Sequence, residues 1–345
     1  MPLPPPHARA FVPFAVLLLA IANPAAAAPS FSLEREPSGN IAYFIDGELF
    51  TRFIQDDPQT NKCYLWPIIG PHGLAMTRAF PMQDIAGEKQ DHPHHRSLFF
   101  GLENAGGWNT WHEKASYSKN GRIVQRGPVS RLGRQVCSRV LAAEISPEAT
   151  SASLVIKIDS LTPDGTLYLE EKRHHLFHLD EISGARVIDI ERTLTCPTNS
   201  KGLTLVGKKD SGLSLRVAHS LCVDAGQGGR IVNSLGHIDA KAWGKRADWV
   251  DFNGPVNGRT VGIAMLNHPD SFRHPTPWHV RSYGLFTANP FALKEVAKEQ
   301  HPSDVQLASG ESITLKHRIL LHEGDEKTAD IAAAWERYTA GPERP

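Results

Sequence analysis

The chain is poor in sulfur and has no excess charge of either sign. It contains four cysteines and four methionines among 345 residues, and 37 basic residues balance 37 acidic ones. No two cysteines form a C-x-x-C pair, which argues against a zinc–thiolate site. The neutral balance argues against a nucleic-acid or membrane-surface binder, because such proteins need excess positive charge. We therefore expect a small, local ligand.

Several well-known catalytic signatures are also missing from the sequence. It has no G-x-S-x-G nucleophile elbow, no G-x-G-x-x-G loop after a strand, no Walker loop and no H-E-x-x-H motif. The chemistries that depend on those motifs are set aside. A Ser-His-Asp arrangement stays open, although no motif points to it.

Long apolar runs are confined to the first residues, which have the pattern of a signal peptide. Arg9 supplies the positive charge, residues 11–21 are apolar, and residues 25–28 are alanines. The apolar run is shorter than the roughly 20 residues of a spanning helix. We predict a signal peptide over residues 1–27 and an exported protein, periplasmic or extracellular, without membrane contact after cleavage. The four cysteines could then form disulfides or remain buried thiols.

The rest of the chain predicts a mainly β protein. Apolar residues alternate with polar ones over 154–158, 188–194, 213–217 and 313–321, and Pro163-Asp164-Gly165 forms a hairpin turn. This pattern is typical of a large antiparallel β-sandwich, which we expect to occupy residues 30–345 as a single domain. Ile331, Trp335 and Tyr338 share one face of a predicted C-terminal helix.

The densest group of titratable residues is Asp91-His92-Pro93-His94-His95-Arg96. In an extended chain His92 and His94 would point one way and His95 the other. Pro93 favours a loop or a sheet edge. One histidine could act as a general acid oriented by Asp91. Alternatively, His92 and His94 could bind a divalent metal together with a distant histidine or carboxylate.

A second group lies far downstream, at Trp278-His279-Val280-Arg281. His279 and Arg281 would project from one strand face. Trp278 could stack on a sugar ring while arginine, asparagine and histidine bind its hydroxyls. Other candidates with charge or aromatic character, suited to an anionic or hydroxyl-rich ligand, are Lys208, Asp210, Arg216, Trp243 and Asn289. For Lys209, Lys245 and Asp248 a solvated turn is the preferred interpretation.

Several of these segments resemble a bacterial domain family of unknown function formerly labelled "methane oxygenase PmoA". The resemblance covers about residues 40 to 322. The segments that carry it are Gly70-Pro71-His72-Gly73 with Thr77-Arg78, residues 91–98, Trp243-Gly244 with residues 249–251, His268-Pro269, residues 275–281 and Asn289-Pro290-Phe291. The old label conflicts with the sequence, because the true subunit spans membranes repeatedly. Where family members tend to have an acidic residue, this chain has Ser211, and Asp210 is the nearest substitute.

That family is similar to β-sandwich proteins of the galactose-mutarotase type, in which a histidine and a carboxylate perform acid–base chemistry in a cleft on a sheet face. The resemblance implies a galactose-mutarotase-like supersandwich. Together with the predicted signal peptide, it gives our leading hypothesis of an exported carbohydrate-active enzyme, a hydrolase, lyase or epimerase. We place His94, His95 and His279 at the reacting centre. The predicted substrate-binding residues are Arg78, Asp91, Arg96, Lys208, Asp210, Arg216, Trp243, Trp278, Arg281 and Asn289.

Two alternatives remain open at this stage. One is a metal-dependent enzyme with His92 and His94 as ligands of a divalent ion. The other is a non-catalytic glycan-binding protein. The leading hypothesis requires no cofactor, and its partner is a small-molecule carbohydrate.

Overall fold

The computed structural model describes residues 1–2, 29–117 and 128–341. The predicted signal peptide, residues 1–27, therefore lies outside the described residues, apart from residues 1–2. The strands and the helix are, in chain order, β1 (Phe31–Arg35), β2 (Ile41–Ile45), β3 (Glu48–Ile54), β4 (Tyr64–Ile68), β5 (Leu98–Leu102), β6 (Arg134–Ile145), β7 (Ser151–Leu161), β8 (Leu167–Leu179), β9 (Arg186–Thr195), β10 (Leu203–Leu205), β11 (Ser211–Arg216), β12 (Arg230–Asn233), β13 (Trp249–Val256), β14 (Arg259–Asn267), β15 (Trp278–Val280), β16 (Leu285–Ala288), β17 (Val305–Leu307), β18 (Ser312–Glu323) and α1 (Ile331–Ala340). Short 3-10 helices span Pro71–Gly73, Lys114–Tyr117, Val129–Arg131, His219–Leu221, Val223–Ala225 and Asp239–Ala242.

Two eight-stranded antiparallel sheets make up most of the described structure. The first has the order β1-β2-β3-β4-β5-β11-β16-β15, and the second has the order β12-β13-β14-β18-β9-β8-β7-β6. The strands β10 and β17 form a separate two-stranded sheet. The predicted mainly β antiparallel sandwich with a C-terminal helix is confirmed. Strand β11 joins β5 to β16, so segments distant in sequence meet in the middle of the first sheet.

The core lies between the two sheets because one face of each strand is apolar. Ile156 and Ile190 of the second sheet and Leu213 and Phe286 of the first are all buried in one cluster. Burying each such side chain contributes about 1.5–3 kcal/mol. The hairpin predicted at residues 163–165 joins β7 to β8, which pair antiparallel. Alternation along β11 and β16 leaves their polar residues on the face that points away from this core.

The helix α1 packs on the outer face of the second sheet. Ile331 and Ala334 are buried against a separate apolar cluster that includes Leu266 and Leu320. The side chain of Asp330 accepts a hydrogen bond from Ala333 N at 3.3 Å, which caps the first turn. The helix predicted from its apolar spacing is therefore present.

All four cysteines are free thiols in the structure, and Cys63, Cys196 and Cys222 are buried. Burial raises the pKa of Cys63 to about 12 and that of Cys222 to about 11. Across residues 29–117 and 128–341, no helix is long and apolar enough to cross a membrane.

Candidate active site

One row of paired residues crosses the outer face of the first sheet. His279 on β15 pairs with Thr287 on β16, Thr287 pairs with Ser214 on β11, and Ser214 pairs with Phe99 on β5. Their neighbours in sequence point into the core. The row forms a floor on which the chemically active loops lie.

The histidine loop is a turn rather than an extended segment. His92 has a φ of 44°, and His95 N donates to His92 O at 3.0 Å. The rings of His92 and His95 stack with centroids 4.8 Å apart, and the ring of His94 meets that of His95 edge-on at 4.4 Å. The expectation that His95 points away from His92 and His94 was wrong, because the turn gathers all three rings.

Arg216 connects the floor to this loop. Its Nη2 donates to Asp91 Oδ1 at 2.6 Å, and its Nη1 lies 3.1 Å from His95 Nδ1. A guanidinium can only donate, so His95 Nδ1 accepts and its proton lies on Nε2. The ring of Tyr283 lies under the Arg216 guanidinium at 4.9 Å and stacks on His92 at 5.0 Å. Arg216 therefore fixes both the orientation and the tautomer of His95.

Arg78 and Asp91, predicted to bind substrate, are used mainly to hold the loop itself. Arg78 is 2% exposed, and its Nη1 donates to Asp91 Oδ1 at 2.7 Å. It also donates to the backbone carbonyls of Phe80 and His92, each at 3.1 Å. Although burial alone would raise the pKa of Asp91, the bond with His92 and the nearby guanidinium groups hold it well below its usual value. Arg78 has no free donor face for a ligand in this arrangement, which corrects its predicted role.

Arg96 is likewise turned inward. It is 2% exposed and donates from Nη2 to Glu113 Oε2 at 2.8 Å, and its Nη1 lies 3.2 Å from Asp57 Oδ2. The same Glu113 pairs with Lys62 at 2.9 Å. A buried cation needs a buried counter-charge, and this network supplies it. Arg96 therefore supports the loop from beneath instead of orienting a ligand as predicted.

The segment after β5 supplies residues that sequence reasoning missed. His112 N donates to Asn109 Oδ1 at 2.9 Å, which fixes the Asn109 amide so that its Nδ2 donates to His112 Nδ1 at 3.0 Å. His112 therefore carries its proton on Nε2, which lies 3.8 Å from Asp210 Oδ2. The ring of His94 lies 4.8 Å from that of His112, and His94 Nδ1 is 2.8 Å from Ser116 Oγ. In the sequence, these residues could have been found from the dense run of aromatic and polar side chains between Trp108 and Glu113.

Asp210 and His279, both predicted site residues, come together. His279 Nδ1 donates to Lys209 O at 3.0 Å, which leaves the lone pair of Nε2 free. Burial lowers the pKa of His279 to about 4 and that of His112 to about 4, although the Asp210 carboxylate opposes both shifts. Both rings are therefore neutral bases at neutral pH. The pKa values of His94 and His95 are also held well below their usual values by burial and by neighbouring cationic groups.

Glu103, which sequence reasoning also missed, follows directly after β5. Its backbone N donates to Ser211 Oγ at 3.1 Å. Burial and the charge of Asp210 raise the pKa of Glu103 to about 7, although Lys209 and Lys208 oppose the shift. This carboxyl group can thus hold a proton at a pH where His279 holds none on Nε2.

Of the remaining predicted substrate-binding residues, some lie at the solvent-facing edge of the site, which we call the rim, and others belong to a loop or to the core. Trp243 is half-buried, and its ring lies edge-on 6.4 Å from that of His279. Arg281 is exposed 5.8 Å from the Tyr283 ring. Trp278 is fully buried and donates from Nε1 to Ala247 O at 2.8 Å, so it belongs to the core and cannot stack on a ligand as predicted. Trp278 is buried because it lies on the face of β15 that points into the core.

Asn289 and Lys208 shape the loop that carries Asp210. Asn289 Nδ2 donates to the carbonyls of Lys208 and Lys209 at 3.0 and 2.8 Å. Lys208 Nζ lies 3.3 Å from a carboxylate oxygen of Glu295. Asn289 thus positions the Asp210 loop and has its amide donor committed to that task.

The predicted metal ligands His92 and His94 have ring centroids 5.8 Å apart. Among the described residues, no three side chains of histidine, cysteine, aspartate or glutamate are arranged to hold a metal ion. The positive charges of Lys62 and Arg78 also act on the His94 ring. The residues in place do not fit the metal hypothesis, and we base no step on it.

The arrangement as a whole is suited to proton transfer. It combines a neutral imidazole that can accept a proton at Nε2 with a carboxyl group that keeps its own. The Asp210 carboxylate acts electrostatically on both. General acid–base catalysis requires one group that can accept a proton and another that can donate one at the same pH.

A protein-family model described as "Family of unknown function (DUF6807)" matches residues 40–336. That description says nothing of the methane oxygenase label. Among curated proteins, none matches the sequence.

Solved structures with a related arrangement of strands include three proteins of low identity. One is a glycoside hydrolase family 97 enzyme from Pseudoalteromonas sp. strain K8 in complex with acarbose, at 10% identity and a TM-score of 0.33, covering 87% of this chain and 35% of that one. The second is a putative aldose 1-epimerase from Escherichia coli K12, at 10% identity and a TM-score of 0.31, covering 83% of this chain and 94% of that one. The third is an aldose epimerase homologue from C. elegans, at 10% identity and a TM-score of 0.32, covering 86% of this chain and 100% of that one. This chain thus spans only about a third of the glycoside hydrolase. At such TM-scores the likeness says nothing about activity.

Proposed function

The chain belongs to the family of unknown function DUF6807, and we propose that it is an exported carbohydrate-active enzyme that transfers protons at a sugar ring. His279 is the general base and Glu103 the general acid. One observation carries this assignment: His279 donates from Nδ1 to Lys209 O and so leaves Nε2 free to accept a proton, while burial and Asp210 raise the pKa of Glu103 to about 7, so that part of it is protonated at neutral pH.

Asp210 gives both groups the charge they need during turnover. When His279 accepts a proton it becomes a buried cation, and the neighbouring carboxylate stabilises that cation. The same negative charge disfavours ionisation of Glu103 and so keeps its proton available. Lys209 Nζ lies 2.7 Å from Asp210 Oδ1 and forms an ion pair with it.

The rim has the chemistry that a sugar ring needs. Trp243 offers a half-buried aromatic ring to its C–H faces, and the exposed Arg281 can donate to its hydroxyls. Beneath them, His94 Nδ1 lies 2.8 Å from Ser116 Oγ and His95 Nδ1 accepts from Arg216, so we assign both histidines a positioning role instead of the predicted catalytic one. Hydrolysis, elimination and epimerisation of a sugar or glycoside can each use one group that accepts a proton and a second group that donates one.

The test measures turnover of a sugar panel by the native chain and by His279→Ala and Glu103→Gln. Anomer interconversion of glucose and galactose is followed by NMR, and cleavage or elimination of neutral oligosaccharides by chromatography. We expect the native protein to turn over at least one member and each variant to lose about 100-fold or more, the usual contribution of a positioned acid or base.

Lys316→Ala is the matched control, because Lys316 is partly exposed on the second sheet, away from the site. It should keep native activity. Full activity in both site variants, with melting temperatures like that of the native protein, would contradict the assignment. So would a native protein that turns over no sugar of the panel.

A further inference from the structure

A second concave surface, which we call the Trp66 groove, opens beside the candidate active site. Its volume is about 680 Å³. Strands β3 and β4, residues 79–88 and the segments around His219 and Asn257 line it. Trp66 also packs with Phe99 and Trp111 on the outer face of the first sheet, the face that carries the active-site row. The groove is therefore continuous with that face and distinct from the histidine loop.

The polar groups of the groove are free and mostly uncharged. In the described part of the chain, five lining side chains make no hydrogen bond to protein: Gln83, His219, Ser220, Gln227 and Asn257. Each of the two charged lining groups, Arg52 and Glu88, has a protein partner. Arg52 Nε donates to Glu36 Oε1 at 2.7 Å, and Glu88 Oε2 accepts from Ala79 N at 2.9 Å. The groove thus offers neutral donors and acceptors to a ligand.

The apolar part of the lining is aromatic and aliphatic. Trp66 is half-buried, and its packing against the Phe99 cluster holds it in place. Pro67, Ile69 and Val256 add aliphatic surface. An aromatic face flanked by uncommitted amides and a hydroxyl matches a neutral polyhydroxylated ring, which has apolar C–H faces and many hydroxyls.

Another groove of similar volume has a lining of a different kind. It lies between the second sheet and α1 and has a volume of about 660 Å³. Its polar groups already satisfy each other, since Asp189 binds Arg318 at 2.7 Å and His178 at 3.0 Å, and Asp180 binds Arg337 at 3.3 Å. A neutral ligand there would have to displace ion pairs.

We propose that the Trp66 groove is a binding subsite for neutral sugar units of a glycan. The loop that lines the groove with Gln83 and Glu88 continues to Asp91 and His92. Arg78 clamps both parts of that loop through Phe80 O and His92 O. As a consequence of this proposal, we expect one chain of several sugar units to extend from the groove along the sheet face towards the active site. This consequence for the substrate rests on the proposed function, whereas glycan binding in the groove does not.

The test measures binding of maltohexaose, cellohexaose and xylohexaose by isothermal titration calorimetry. We expect at least one to bind the native chain. The double variant Gln83→Ala/Gln227→Ala removes two exposed side chains and should weaken that binding at least tenfold. Trp66→Ala should weaken it further, and Trp66→Phe should restore most of it because an aromatic face remains.

Gln90→Ala, an exposed glutamine of the same loop that does not line the groove, is the matched control and should bind like the native chain. Native affinity in the double variant, or no binding of any hexasaccharide by the native chain, would overturn the proposal. The two proposals fail separately. Native turnover in His279→Ala would contradict the catalytic assignment alone, and native affinity in Gln83→Ala/Gln227→Ala would contradict the groove assignment alone.

Discussion

The two outer faces of the sandwich carry the same residue types and use them in opposite ways. On the second sheet, His178 and Arg318 both bind the Asp189 carboxylate, at 3.0 and 2.7 Å, and all three side chains stay partly exposed. On the first sheet, His94, His95 and His279 are almost fully buried. Burial there lowers the pKa values of the imidazoles. On the second sheet the polar side chains bind one another, whereas on the first sheet burial keeps the imidazoles neutral.

His322 shows that burial alone is not the deciding factor. It is 2% exposed, yet its Nε2 lies 3.0 Å from Asp251 Oδ1. Although burial would lower the pKa of His322, the carboxylate raises it above its usual value. His279 is similarly buried but donates to a neutral carbonyl, and its pKa falls. The partner of the imidazole therefore decides which form is stable.

The largest expected effect on stability comes from the network under the histidine loop. Glu113→Ala would leave Lys62 and Arg96 buried beside each other, with Asp57 as the remaining carboxylate near them among the described residues. We expect a loss of about 3–5 kcal/mol in the free energy of unfolding, measured by denaturant titration. Glu113→Gln should lose part of that amount because it retains one acceptor. A loss below about 1 kcal/mol in Glu113→Ala would show that the network is not what holds the loop.

The pH dependence of activity should reflect the opposite shifts of the two catalytic groups. The base needs neutral His279, with a pKa of about 4, and the acid needs protonated Glu103, with a pKa of about 7. We therefore expect a bell-shaped kcat/KM profile with its maximum between these values. The measurement is the pH profile of the most active sugar of the panel. A profile that rises steadily above pH 8 would contradict the role of Glu103 as an acid.

The contrast between His279 and His322 also predicts opposite effects of pH on stability. The folded pKa of His279 is depressed, so the unfolded chain binds more protons and stability falls as the pH drops from about 6.5 towards about 4. At pH 5 the loss relative to pH 7 should be about 2 kcal/mol for this group. His279→Asn should remove that share of the acid sensitivity, as measured by unfolding at both pH values.

The folded pKa of His322 is raised, so its contribution is fully present below the unfolded pKa and is lost as the pH rises through the folded value. His322→Asn should therefore become relatively more stable as the pH rises. Parallel pH responses of the two variants would mean that the Asp251 contact does not distinguish the two histidines.

The smallest effect is expected on the paired face. Lys316→Ala removes contacts of 3.8 Å to Glu191 and 3.6 Å to Asp270, both between partly exposed groups. Such pairs contribute about 0–1 kcal/mol, so the free energy of unfolding should change by less than that. A change of several kcal/mol would show that this face is as tightly coupled as the site.

Much of the architecture could be predicted from the sequence, because a two-residue period of apolar side chains places one strand face in the core. The strands β7, β9, β11 and β18 could be predicted from their alternation of apolar and polar residues. The helix could be predicted from the spacing of Ile331, Trp335 and Tyr338. The histidine loop and His279 were also visible as local clusters. Glu103 was not, because a single carboxylate after a strand has no pattern, and its proton affinity depends on Asp210 across the sheet.

The sequence by itself determined which segments become strands, where the helix lies and which short segments are rich in titratable groups, since these follow from local periodicity and composition. Only the tertiary structure decided that Trp278 is a core residue while Trp243 lies at the rim, that Arg78 and Arg96 face inward, and that His279 meets Asp210. Those outcomes depend on burial and on distances between segments far apart in sequence, and electrostatic interactions act through space rather than along the chain.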